Sequence, residues 1–234
     1  MSFLTNLDCH PVVLFDATTD KIVPLDLTAS NTKLDAAIVG DTWLFSQYIN
    51  NTLAAAGARY GIGGYNEHRT VYSRSTVFDS SDTGEEPRRL HLGTDIWGEA
   101  GTPVFAPLDG EVHSFAFNDQ FGDYGATIIL QHQVAGNIFY TLFGHLSLRD
   151  LEGLHAGKFI KAGNQFAHFG SPSENGEWPP HLHLQLILDI GGRAGDYPGV
   201  CRYSERSFWL KNSPDPDLIL NLNKHVAKAD KLPD

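Results

Sequence analysis

The rhythm of apolar and polar positions changes twice along this chain. Residues 11–28 alternate loosely, with Val12, Val13, Leu14 and Phe15 in one run and Ile22, Val23, Leu25 and Leu27 in the next. The stretch from Asp16 to Lys21 between them has turn composition, so the pattern predicts a hairpin. Over 41–56 the spacing lengthens to a helical period carried by Trp43, Leu44, Tyr48, Ile49 and Leu53. Asp41 stands where a cap belongs and Gly57 where such a helix ends. From about Tyr60 glycine becomes frequent and apolar runs become short. Val104–Ala106, Glu111–Phe117, Thr127–His132, Ile138–Phe143 and His181–Leu188 read as strands separated by Gly, Pro or Asp turns. Repeated short strands predict a mainly β, antiparallel domain. The expected division is a hairpin-plus-helix extension over 1–58, a main domain over 59–222, and a loosely held Lys/Asp-rich tail over 223–234.

Composition narrows the function. With 41% hydrophobic and 19% charged residues, the 234-residue chain suits a globular protein that buries its own core. A formal charge of -11 argues against nucleic acid, whose phosphates demand clustered Lys and Arg. No run approaches the ~18 apolar residues of a membrane span. The first 30 residues have none of the basic start, apolar stretch or cleavage site of an export signal. Cys9 and Cys201 have no metal-ligand spacing and read as free thiols of a reducing compartment. The expected location is therefore cytoplasmic. Oligomeric state is left open.

Three segments carry candidate chemistry. In Pro179-Pro180-His181-Leu182-His183-Leu184-Gln185-Leu186, a strand would turn Leu182, Leu184 and Leu186 to a core and His181, His183 and Gln185 to the other face. The two imidazoles then stand about 7 Å apart along the strand and can serve one site. A half-exposed strand with incidental histidines is the plain alternative. In His91-Leu92-Gly93-Thr94-Asp95, the even spacing of an extended segment puts His and Asp on one side, with Gly93 letting the backbone bend between them. Imidazole nitrogen and carboxylate oxygen both suit zinc; alone, the pair also reads as a surface His and a turn Asp. In Tyr140-Thr141-Leu142-Phe143-Gly144-His145-Leu146-Ser147, His145 ends an apolar strand just after a glycine. The segment Gly64-Tyr65-Asn66-Glu67-His68-Arg69 reads as an ordinary strand entry, as a groove lining, or as a segment from which Asn66 approaches a metal as an inhibitory ligand. Gly170-Ser171-Pro172-Ser173 is not a nucleophile elbow, and Gly61-Ile62-Gly63-Gly64 is not a dinucleotide loop.

Taken together and in order, these segments resemble the lysostaphin-type zinc metallopeptidases, which act on peptidoglycan peptides. HLGTDIWGEAGTPVFAPLDGEV (His91 to Val112) is similar to that family's first block, YTLFGHLS to its second, and PPHLHLQL to its His-x-His block. The likeness runs from roughly Tyr60 to Leu188. It implies an open β-sheet groove of the lysostaphin-like, duplicated hybrid motif type. It implies Zn²⁺ held by His91, Asp95 and His183, with His145 and His181 as a metal-free catalytic pair. The expected activity is hydrolysis of an amide bond in a peptide or peptidoglycan fragment; the other reading is a non-catalytic or partner module on the same fold. No H-E-x-x-H helix supplies a glutamate base, and histidine, with its ordinary pKa near 6.5, is the natural substitute.

Overall fold

A computed structural model describes residues 2–5, 7–79 and 84–226. The strands in chain order are β1 (Ile22–Leu25), β2 (Tyr60–Gly63), β3 (Leu90–His91), β4 (Thr94–Trp97) and β5 (Pro103–Phe105). Next come β6 (Gly110–Asn118), β7 (Gly125–Val134), β8 (Asn137–Leu146) and β9 (Phe159–Ile160). The last are β10 (Gln165–His168), β11 (His181–Ile187) and β12 (Val200–Cys201). Among the described residues, four α-helices, α1 (Ala36–Gly40), α2 (Thr42–Ala56), α3 (Arg206–Asn212) and α4 (Asp217–Leu220), flank them. The chain is thus mainly β. Eight strands form one open sheet in the order β1-β2-β4-β11-β8-β7-β6-β9, and two-stranded pairs β5–β10 and β3–β12 stand beside it. Every pairing in the large sheet is antiparallel except β1 with β2.

The core lies on one face of this sheet. Leu182, Leu184 and Leu186 of β11 are fully buried there with Ile96, Ile128, Phe143 and Phe169. This is the period-2 alternation of a strand whose apolar side chains all point one way. The opposite face carries His181, His183 and Gln185, and it too is covered.

The expected helix forms as α2. Asp41 Oδ1 accepts a hydrogen bond from Leu44 N at 2.9 Å, and Gly57 ends the helix at φ 57°. Its buried stripe is Phe45, Ile49 and Leu53, an i, i+4, i+8 row, while Trp43 is 66% exposed and Leu44 faces solvent. The expected hairpin over 11–28 does not form. Only Ile22–Leu25 becomes a strand, and it pairs parallel with Tyr60–Gly63. Val12 instead accepts a hydrogen bond from Phe105 N, and Val12 and Val13 sink into the main core. A lone two-stranded hairpin buries too little to compete with that core. Residues 1–58 therefore add an edge strand to the large sheet and lay α2 against its far face. At the other end, Val226 bridges to Ile22; residues 227–234 of the expected tail lie outside the described residues.

Candidate metal centre

Sheet register assembles the site. In β11, His183 lies opposite Asp95 of β4, and His181 lies opposite Trp97. Residues directly opposed in an antiparallel pair hold their side chains together on one face. His91 arrives from β3, one turn of chain before Asp95. Three atoms converge as a result. His91 Nε2 lies 2.9 Å from His183 Nδ1 and 3.2 Å from Asp95 Oδ1, and His183 Nδ1 lies 3.0 Å from the same Oδ1.

The partners on the far side of each ring fix its tautomer. His91 Nδ1 lies 2.9 Å from the Gly64 carbonyl oxygen, which can only accept, so Nδ1 carries the proton. Gln185 donates its amide nitrogen to Pro198 O and Ser213 Oγ, so its Oε1 faces His183 Nε2 at 3.1 Å and that nitrogen carries the proton. Both rings therefore aim a bare lone pair at the same point, beside a carboxylate oxygen. Lone pairs 2.9 Å apart repel unless a cation stands between them. Nitrogen–nitrogen–oxygen donor sets with each imidazole tied down behind are the pattern of metal-binding histidines. Among the described residues, His91, Asp95 and His183 are the group whose ligand atoms all lie within 4.8 Å of one another.

Electrostatics agree with that arrangement. Burial and the Arg69 charge bring the His91 pKa down to about 4. Burial works against the Asp95 carboxylate, but its contacts with His91, Arg69 and His183 hold it well below the usual range. The donor set thus includes a neutral His91 ring and an anionic Asp95 at neutral pH.

His145 and His181 stand beside this centre with ring centroids 4.1 Å apart. A bulge between β7 and β8 reaches Gly144 and His145, and His145 takes φ 62°. Bulges re-aim a side chain; this one turns His145 toward His181. A non-glycine residue in that region costs on the order of 1–3 kcal/mol and is held there by its surroundings. His145 N donates to Tyr124 O, Gly170 N donates to His145 O, and His145 Nδ1 donates to Asn175 O at 2.8 Å. Gly144 is required too, since a Cβ there would stand 2.5 Å from the Tyr124 ring. His181 Nδ1 donates to Pro179 O at 2.8 Å, and its ring stacks on Trp97 at 3.9 Å. Both histidines thus keep Nε2 free as a lone pair. Burial, then the charges of His181 and His183, hold His145 well below its ordinary value; burial brings His181 down to about 4.

None of these five side chains exposes more than 5% of its surface. A cleft of about 240 Å³ opens over His145, His181 and His183, walled by Tyr72, Phe78, Tyr124 and Trp178. Arg88 and Arg193 line it further out.

All five histidine and aspartate residues singled out in the sequence are therefore brought together. Asn66 does not approach the ligand atoms. Its backbone N donates to His91 O, and its Oδ1 accepts from Arg206 Nε at 2.7 Å, which points the side chain away. The same segment reaches the centre by other means: the Gly64 carbonyl holds His91, and Arg69 holds Asp95 with NH1 2.5 Å from Oδ2. Arg69, Trp97 and Tyr124 were not legible in the sequence, because each acts across a sheet register or loop path that no local spacing reports.

An open β-sheet gathers two imidazoles and a carboxylate around one point that could hold a metal ion, with two more free imidazoles alongside. Residues 89–194 match the model of Peptidase family M23. It is 34% identical over 129 residues to an L-Ala–D-Glu endopeptidase of Bacillus subtilis, covering 53% of this chain and 37% of that one. It is 29% identical over 112 residues to the peptidoglycan DD-endopeptidase ShyC of Vibrio cholerae, covering 44% of this chain and 23% of that one. The chain thus spans well under half the length of either relative. The catalytic domain of lysostaphin from Staphylococcus simulans aligns with a TM-score of 0.37 and 21% identity, over 70% of this chain and 96% of that one.

Proposed function

We propose that this chain is a zinc-dependent amide hydrolase acting on short peptides of peptidoglycan type. The observation that carries the reading is the convergence of three lone-pair donors within hydrogen-bonding distance of one another, with two free imidazole nitrogens beside them. His91, Asp95 and His183 would hold the zinc through Nε2, Oδ1 and Nδ1. When bound, zinc supplies Lewis acidity that polarises a carbonyl and makes water a better nucleophile.

The remaining chemistry belongs to His145 and His181. Their Nδ1 protons are committed to backbone carbonyls, so Nε2 of either ring accepts a proton in its neutral form and donates only as imidazolium. Burial disfavours the protonated form of both rings. One ring takes the proton of the attacking water as the carbon–oxygen bond forms. The same proton then passes to the leaving amide nitrogen as the carbon–nitrogen bond breaks, restoring both neutral rings.

The relatives' names support a peptidoglycan peptide as substrate. The cleft supports a narrow one: about 240 Å³ falls below the ~300–1,000 Å³ of drug-sized sites, and the reacting groups are almost wholly buried. A single peptide strand fits that description better than a crosslinked mesh. The test is metal analysis of the purified protein, then incubation with muropeptides and oligoglycine followed by mass spectrometry. One zinc per chain and cleavage at one amide are expected. A zinc-loaded protein that cleaves none of these peptides would favour a binding module on the same fold.

A further inference from the structure

Arg69 lies outside the region matched to the family, yet it is 1% exposed and faces the metal centre. Its guanidinium spans two carboxylates. NH1 lies 2.5 Å from Asp95 Oδ2 and Nε lies 2.6 Å from Glu67 Oε2. NH1 also donates to the Tyr72 hydroxyl at 3.3 Å, and NH2 reaches the Gly64 carbonyl at 3.4 Å. The space for this group is purpose-shaped: a Cβ at Gly63 would stand 2.7 Å from Arg69 NH2. The two oxygens of Asp95 are thereby divided. Oδ1 faces His91 and His183, and Oδ2 is taken by Arg69.

We infer that Arg69 is a positioning residue that holds Asp95 as a one-oxygen ligand and so sets the coordination number of the zinc. The inference rests on the zinc reading above. A carboxylate free to rotate can offer both oxygens to a cation. One whose second oxygen is bound to a buried guanidinium cannot. Arginine suits the task because its planar fork engages two carboxylates in fixed directions, which a lysine ammonium does not. Glu67 balances the charge, so that a buried cation beside the centre does not repel the metal.

The experiment measures zinc affinity by chelator competition and records the visible spectrum of the cobalt(II)-substituted protein. The chains compared are the wild type, Arg69→Met, Arg69→Lys and the double variant Glu67→Gln/Arg69→Met, which removes the buried charges as a pair and guards against misfolding of the single variant. Loss of an outer partner of a ligand costs about 10–100-fold in metal affinity. A loss in that range is expected for both methionine variants, with weaker cobalt bands as four-coordinate geometry gives way to five. Arg69→Lys should recover part of both signals. A folded double variant with wild-type zinc affinity and an unchanged cobalt spectrum would overturn the inference while leaving the zinc reading intact. A wild-type chain that takes no zinc would overturn both.

Discussion

Gly93→Ala isolates how tightly the candidate centre is built. Gly93 is not among the positive-φ glycines, so alanine suits its backbone and only the added methyl matters. That Cβ would stand 2.4 Å from His183 Cε1, 2.6 Å from its Nε2 and 2.7 Å from the Leu184 carbonyl oxygen. Ordinary contact begins at 3.4 Å, so the ring must retreat by about 1 Å. It has nowhere to go. Gln185 holds its Nε2, that amide is fixed by Pro198 and Ser213, and His91 and Asp95 crowd its other edge. A 1 Å displacement destroys a triangle whose sides are 2.9–3.2 Å. Misplacement of that size costs ~100-fold in rate, and overpacking costs ~1–3 kcal/mol of stability. The assays are chelator competition for zinc, peptide turnover and thermal denaturation. Gly40→Ala is the control: nothing lies within 4 Å of its Cβ, and a helical Gly→Ala change should stabilise by up to ~1 kcal/mol. A folded Gly93→Ala protein with wild-type zinc affinity and turnover would refute this account of the site.

Replacing His145 or His181 by Ala should leave zinc content unchanged while turnover falls ~10²–10⁴-fold; a fully active His145→Ala protein would remove that ring from the scheme. Phe45→Ala should cost ~3–5 kcal/mol in urea denaturation, because Phe45 is fully buried against Trp97 and Trp178, and a loss below ~1 kcal/mol would mean that α2 does not support the site. The His181 pKa drops from 6.5 unfolded to about 4 folded, so between those values the unfolded chain binds a proton that the folded chain refuses. Stability of the chelator-treated protein should therefore be full above pH 6.5 and decline as pH falls toward 4, with a shallower decline in His181→Gln; equal slopes for the two proteins would contradict the assignment. Soluble muropeptides should be cleaved and intact sacculi left largely uncut, with turbidity clearing of sacculi by the protein alone as the contrary result.

Much of this protein was legible along the chain because its signals are local. Alternation in β11 separates Leu182, Leu184 and Leu186 from His181, His183 and Gln185 whatever the surrounding fold does, although both faces end up buried. Asp41 and Gly57 bound α2 because caps act within one turn. The five histidine and aspartate positions were found through motif order, and the structure gathers them. The role first read for Gly93 was incomplete: the structure gives it a closer reason, room for the His183 ring.

Other features depend on contacts between distant segments. The apolar run at 12–15 predicts a hairpin only while its partner is unknown; in the fold, Val12 and Val13 go to the main core and Ile22–Leu25 pairs with Tyr60–Gly63. Which face of α2 is buried is decided by Trp97 and Trp178, so Phe45 rather than Trp43 turns inward. The orientation of His145 follows from a bulge in the β7–β8 register. The hold on Asp95 comes from Arg69, 26 positions away, through a loop whose course the sequence does not announce. The division has a physical cause. Side-chain periodicity and capping are properties of a few consecutive residues, whereas strand register, burial on a shared face and the partners of a buried charge are settled only when remote segments compete for the same core.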